Sequence, residues 1–289
     1  MPRTKSPLRY PGGKTQLAKF VEHTIHLNNI SHPIYCEPFC GGSGVAIELL
    51  LNNSVDFIIL NDYDSAIYSF WYALLNETAK FLDMVLATPI DITTWHIQKE
   101  IYVNLKNTNG YNFDLGFATF FLNRTNRAGI ITGGPIGGIN QSSKYPIDCR
   151  FKKDKLIQKM TVIANERDKI TLFNMDASAL TTEVLMHQAP ESLFIFFDPP
   201  YYKQGKKLYT NAFIDQDHVD LSNVIREMND FHWIATYDNE NRIKEIYHDM
   251  DIREYTLQYS ANQIRREQEL FFHSPHTIVE EYDKVSFTR

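Results

Sequence analysis

An α/β fold, one sheet interrupted by an inserted and mostly helical domain, is the simplest arrangement for this sequence, and three observations predict it. The run Leu193-Phe194-Ile195-Phe196-Phe197 is five consecutive large apolar residues, as expected of a strand buried on both faces at the centre of a parallel sheet. The chain opens on a strand, a glycine-rich turn, a helix, a second strand and a second helix, the start of a doubly wound sheet. From about Asn76 to Met160 the patterns are helical and offer no convincing buried strand. With 289 residues the chain has room for one large domain, or for one domain carrying a smaller insert.

Ile34 to Phe39 reads as the first strand, Gly41-Gly42-Ser43-Gly44 as a tight turn and Val45 to Leu51 as a helix. Asp56 to Leu60 is the second strand, ending at Asn61-Asp62-Tyr63-Asp64, and Ser65 to Leu75 is amphipathic at helical spacing. Within the insert, helices are expected over Thr78 to Leu86, Thr93 to Asn107 and Leu115 to Asn123. A glycine-rich segment from Gly129 to Asn140 follows, suited to a hairpin or a long ordered loop. Strand patterns return at Ile170 to Phe173, Leu193 to Phe197 and Trp233 to Thr236. They are interleaved with helices near Ala177 to Met186, Asp217 to Met228 and Glu240 to Tyr247. Two extended runs, Glu254 to Tyr259 and Glu269 to His273, close the chain.

Composition narrows the function classes. No apolar run approaches the ~18 residues of a membrane span. No apolar segment follows Met1-Pro2-Arg3-Thr4-Lys5 as a secretory signal would require, so a soluble, cytoplasmic protein is expected. Cys36, Cys40 and Cys149 form no Cys-x-x-Cys pair and read as reduced structural thiols. Net charge is −6, yet the basic residues are clustered. Arg3, Lys5, Arg9, Lys14 and Lys19 occur before any acid, and Lys144 to Lys169 carries eight basic side chains against four acids. Such clusters suit phosphate contacts, and the second suits a solvated helix face equally well.

The chemistry is concentrated where strands end. Asp198-Pro199-Pro200-Tyr201 follows the most apolar strand, and in open α/β sheets ligands bind at the carboxyl ends of strands. The two prolines remove backbone donors and hold the chain extended, so a carboxylate, a carbonyl and an aromatic face share one rigid spot. Glu37, Asp62 and Asp176 stand at the same edge. Asp62 suits ribose hydroxyls, or else it caps the next helix, a task Asp64 can also perform. The turn Phe39-Cys40-Gly41-Gly42-Ser43-Gly44 either admits a ligand to the backbone or simply makes a tight corner. Arg9-Tyr10-Pro11-Gly12-Gly13-Lys14-Thr15 is no P-loop, because Leu8 occupies the place of the first glycine and no strand precedes it. The histidine pairs lack companions for a metal site. Gly205-Lys206-Lys207 reads as a loop near the site.

Taken in order, these segments resemble the Dam-like (D12 class) DNA adenine-N6 methyltransferases. The Gly-Gly-Lys segment comes first, a Phe-x-Gly-x-Gly loop next with Glu37 where many members have Asp, then an inserted recognition domain, then Asp198-Pro199-Pro200-Tyr201. Phe120 to Asn126 is similar to the family's recognition helix, and Ala235-Thr236-Tyr237-Asp238 to the strand after the catalytic motif. The resemblance implies a Rossmann-like, S-adenosylmethionine-dependent fold with a mixed sheet. Its catalytic domain would be 1–76 and 161–289 and its target-recognition insert 77–160. It implies a cofactor pocket of Tyr10, Lys14, Glu37, Phe39, Gly41, Asp62, Asp176 and Asp198, and no metal. Asp198, Pro199 and Tyr201 would be catalytic. Double-stranded DNA would be held by Arg9, Arg124, Asn126, Arg127 and Lys144, the last residues of the recognition helix otherwise serving to cap it. A cognate restriction enzyme is a candidate partner, and a monomer or weak dimer is expected. Members that read GATC carry Asn-Gly-Leu-x-Arg-x-Asn and Phe-Asn-Val-Pro stretches; neither occurs here, which removes the basis for expecting GATC. Methyl transfer to cytosine-N4, to an RNA base or to a protein glutamine is the alternative within enzymes, and a catalytically silent DNA-binding protein the alternative outside them.

Overall fold

The structure is a computed structural model that describes residues 4–9, 14–203, 213–259 and 265–288. Tyr10 and the Gly205-Lys206-Lys207 loop lie outside the described residues. Eight strands form one sheet. They are β1 (Ile34–Glu37), β2 (Phe57–Asn61), β3 (Ile170–Phe173), β4 (Leu193–Phe197), β5 (His232–Asp238), β6 (Arg253–Tyr259), β7 (Arg265–His273) and β8 (Phe287–Thr288). Their order is β3-β2-β1-β4-β5-β7-β6-β8. The first five strands pair in parallel, whereas β7 runs antiparallel between β5 and β6. The expected mixed sheet is present. The order reverses between β1 and β4, so the edge where their carboxyl ends meet is the switch point at which such sheets bind ligands.

Helices cover both faces because the strands are apolar on both. Along β4, Phe194 and Phe196 face one core while Leu193, Ile195 and Phe197 face the other, the period of two that a pleated strand imposes. The first core is covered by α1 (Ala18–Leu27), α2 (Gly44–Leu51) and α3 (Ser65–Asn76). The second is covered by α8 (Ala177–Glu183), α9 (Asp215–Arg226) and α10 (Asn241–Ile246).

Between β2 and β3 the chain is helical: α4 (Thr78–Ala87), α5 (Ile92–Leu105), α6 (Phe113–Thr125) and α7 (Lys153–Asn165). These helices share the first core and enclose no separate one, since Phe81, Phe117, Phe120 and Met160 join the same cluster as Phe70 and Val45. Gly116 lets α6 approach α3 closely; a Cβ there would lie 2.5 Å from the Ser69 carbonyl oxygen. The glycine-rich segment is an ordered loop, with a single antiparallel bridge between Asn126 and Pro135 in place of a hairpin. Two helices lie outside the ranges expected from the sequence, α1 and α7, the second within the Lys144 to Lys169 cluster that equally suited a solvated helix face. Leu156, Met160, Ile163 and Ala164 of α7 are buried at helical spacing, while Lys155 is exposed and Lys159 donates to the Thr4 and Ser6 carbonyls. Among the described residues no helix is long and apolar enough to cross a membrane.

Candidate active site

The carboxyl edge of the sheet is stapled together by one side chain. Asn61, fully buried at the end of β2, donates through Nδ2 to the carbonyls of Pro38 (2.8 Å) and Met175 (3.0 Å) and accepts from the Met175 N–H (2.9 Å). It thereby fixes the turns after β1 and β3 relative to β2. Sequence reasoning missed it, although an amide directly before Asp62 at a strand end was the available signal.

Glu37 ends β1 and is buried. Its Oε1 accepts from the Tyr35 hydroxyl (3.1 Å) and the Ala46 N–H (3.0 Å). Burial pushes its carboxyl up to about 8, against the pull of those two bonds and with a smaller push from Asp198. Half-buried Phe39 meets Phe213 edge-on at 5.5 Å. The Gly41 N–H donates to Asp62 Oδ2 (2.8 Å), and its carbonyl accepts from the Trp71 indole (2.9 Å). Burial, then the Asp64 charge, raise Asp62 to about 7. Asp64 caps α3 by accepting from the Ala66 N–H, so Asp62 belongs to the glycine turn. Asp176 is exposed and caps α8 through the Ser178 and Ala179 N–H groups. The Cys40 thiol is buried and pushed well up, which suits packing and not nucleophilic attack.

Beside these acids is a buried cation. The Lys14 side chain is only 4% exposed; its Nζ lies 3.1 Å from Asp198 Oδ1 and 3.7 Å from Glu269 Oε1, and donates to the Tyr201 hydroxyl at 2.5 Å. Asp198 Oδ1 also accepts from the Thr236 hydroxyl (2.7 Å). One oxygen of the carboxylate is thus held twice, while Oδ2 makes no hydrogen bond or ion pair among the described residues. Burial raises the Asp198 carboxyl, Lys14 opposes that most strongly, and Glu269 adds to it. Pro199 is buried beside it. Asp238 accepts from the Tyr202 and Lys203 N–H groups, both at 2.9 Å, and so ties the end of the Asp-Pro-Pro-Tyr turn to β5. Glu269, 1% exposed on β7, had no signal in the local sequence.

The residues expected to hold DNA divide into two groups. Arg127 and Lys144 are exposed at the ends of the glycine-rich loop. Asn126, by contrast, is fully buried. Its Oδ1 accepts from the Trp95 indole (2.7 Å) and its Nδ2 donates to the Ile130 and Ile131 carbonyls (2.9 Å each). A side chain with every polar atom committed inside the protein is not presented to a base, so its expected DNA contact is replaced by a structural one. Arg124 spends its two terminal nitrogens on the carbonyls of Pro7 and Arg150, and burial lowers its guanidinium to about 9. Arg9 donates to the Asn126 carbonyl (3.0 Å), and its own carbonyl abuts Gly129, where a Cβ would approach to 1.9 Å. Arg150 stands near both. None of the three arginines forms an ion pair among the described residues, where no group of three His, Cys, Asp or Glu is placed to hold a metal either.

A search of curated proteins found no match. Among solved structures, a candidate RNA methyltransferase from Pyrococcus horikoshii aligns over 92% of this chain and 85% of its own, with TM-score 0.40 and 9% identity. The rRNA methyltransferase AviRa from Streptomyces viridochromogenes aligns over 92% and 86%, with TM-score 0.39 and 14% identity. The sequence model of the D12 class of N6 adenine-specific DNA methyltransferases matches residues 10–261, from the glycine-lysine segment through all of the acid edge but Glu269. That match spans most of the chain, and the chain belongs to the D12 class N6 adenine-specific DNA methyltransferase family.

Proposed function

We propose that this protein transfers a methyl group from S-adenosylmethionine to the N6 amine of an adenine extruded from double-stranded DNA. The observation that carries this reading is the Asp198 carboxylate, anchored through Oδ1 by Lys14 and Thr236 with Oδ2 left to receive an amine hydrogen. The edge also suits the methyl donor. Glu37, Asp62 and Asp198 place three carboxyl groups along this edge, and Lys14 pairs with Asp198; carboxylates of this kind can accept from ribose hydroxyls and suit a ligand that itself carries positive charge. When bound, S-adenosylmethionine supplies an electrophilic methyl group.

The chain's own residues do the rest. Asp62 accepts from ribose hydroxyls beside Gly41, Phe39 gives an apolar wall, and Asp176 stands at the adenine end. Tyr201 offers a stacking face that offsets part of the unstacking cost, about a few kcal/mol, of base extrusion. Asp198 Oδ2 and the Pro199 carbonyl each accept one hydrogen of the N6 amine, which turns the nitrogen lone pair out of conjugation with the ring. As the N–C bond forms, the bond from the methyl carbon to its sulfur would break with its electron pair staying on the departing sulfur, and the amine sheds one proton toward Oδ2, a carboxylate whose proton affinity burial has already raised. Positioning is the main contribution.

In this reading residues 1–76 and 161–289 are the catalytic part and 77–160 the recognition insert. Arg127 and Lys144 read the duplex from the glycine-rich loop, and exposed Arg150 contributes a phosphate contact, while Arg124 and Arg9 brace the backbone behind it. The test is calorimetric binding of S-adenosylmethionine followed by tritiated methyl transfer to unmethylated duplex DNA, RNA and protein in parallel. Label in DNA is expected. Asp198→Ala is expected to abolish transfer and leave DNA binding largely intact. Label only in RNA or protein, or a variant that still works at near the parent rate, refutes the assignment.

A further inference from the structure

We propose that Glu269, held by Tyr255, is a positioning residue of this active site, which shares the Lys14 ammonium with Asp198 so that Lys14 orients the Asp198 carboxylate without neutralising it. The inference rests on the role given above to Asp198. Glu269 lies on β7, two strands from β4 across β5, and is 1% exposed. Its Oε2 accepts from the Tyr255 hydroxyl at 2.5 Å and its Oε1 faces Lys14 Nζ at 3.7 Å, against 3.1 Å for Asp198.

A buried carboxylate is costly to keep unless charge and hydrogen bonds compensate it. One cation flanked by two buried acids leaves the cluster with a net negative charge. If Asp198 alone faced Lys14, the whole ammonium field would fall on the oxygen pair that must accept the amine hydrogen, and its acceptor strength would drop. A second acid on the far side divides that field. It also gives Lys14 a partner to lean toward when Asp198 engages the base, so the cation need not leave the site. Tyr255 fixes Glu269 from the strand next to it, in register with Tyr255↔Glu269.

The ionisable groups around Asp198 are Lys14 before α1, Glu269 on β7, Tyr201 on its own turn, Glu37 and Tyr35 on β1 and Tyr237 on β5. Of these, Lys14 lowers the Asp198 proton affinity and Glu269 raises it. Glu269→Gln keeps the shape and removes the charge, so it should move Asp198 downward.

The experiment measures the Asp198 carboxyl titration by carbon-13 NMR in the parent protein, Glu269→Gln and Glu269→Asp, together with the pH profile of single-turnover methyl transfer to duplex DNA. In Glu269→Gln the Asp198 titration and the acid limb of the rate should both move to lower pH. The rate should fall on the order of ten-fold or more while the S-adenosylmethionine Kd changes by less than about two-fold. Glu269→Asp retracts the charge by one methylene and should give an intermediate shift, which decides the matter if Glu269→Gln does not fold. Titration unchanged in the variants, or moved upward, overturns the inference. If the parent protein methylates no DNA, the proposed reaction fails on that result alone, while the carboxyl titration still decides the role of Glu269.

Discussion

Replacing Lys14 with Met deletes the charge that Asp198 and Glu269 flank while nearly conserving volume. Lys14 is 4% exposed, so the variant leaves Asp198 and Glu269, bonded to the Thr236 and Tyr255 hydroxyls, as neighbouring like charges without the cation that pairs with both. Removing one member of a buried ion pair costs about 3–5 kcal/mol. Asp198 keeps 24% of its side-chain exposure, which places the expectation at the lower end, about 3 kcal/mol. The penalty has a definite pH dependence. Asp198, already raised by burial, binds its proton more tightly still once Lys14 no longer opposes that, so the loss is small near the ordinary carboxylate range, where it can protonate. It grows as pH rises and is complete above the raised native value. Guanidinium unfolding at pH 5 and pH 8.5 measures it. A deficit below about 1 kcal/mol, or one equal at both pH values, refutes the reasoning.

Asn126→Ala should cost about 2–4 kcal/mol in the same unfolding assay, because it strands the Trp95 indole and the Ile130 and Ile131 carbonyls; unchanged stability with altered site preference would restore its base-reading role. Glu37 binds its proton more tightly folded, near 8, than at its ordinary value near 4.5, so the ligand-free protein should lose stability as pH rises from about 4.5 through 8. Glu37→Gln should reduce that slope to the part contributed by the other raised acids, Asp62 and Asp198, and a thermal melt series against pH that shows the full parent slope contradicts the assignment. Arg150→Gln should weaken DNA binding, reduce the slope of log K against log salt by roughly 0.9 if it meets one phosphate, and leave S-adenosylmethionine binding unchanged; fluorescence anisotropy across a salt series checks this.

Strand β4 was legible to the residue, as was β3, because an apolar run bounded by polar residues has few other uses. The positions of Glu37, Asp62 and Asp198 were equally legible, since each ends or directly follows its own strand. Helix α7 was not, because the lysines that mark its solvent face dominate its composition and the buried Leu156, Met160 and Ile163 are outnumbered. Asn126 shows a second limit. Its residue type suits adenine, yet whether an amide faces a base or a buried indole is decided by where α5 packs on α6. Glu269 shows a third, since its meeting with Lys14 depends on β7 entering antiparallel beside β5, which no local pattern encodes.

The central claim is that Asp198 prepares the N6 amine of adenine. It is tested most directly by digesting duplex DNA labelled by this protein with tritiated S-adenosylmethionine and separating the nucleosides. Label in N6-methyldeoxyadenosine, absent with Asp198→Ala, is the predicted result. Label in N4-methyldeoxycytidine, or none in DNA under conditions where the donor binds, contradicts the account.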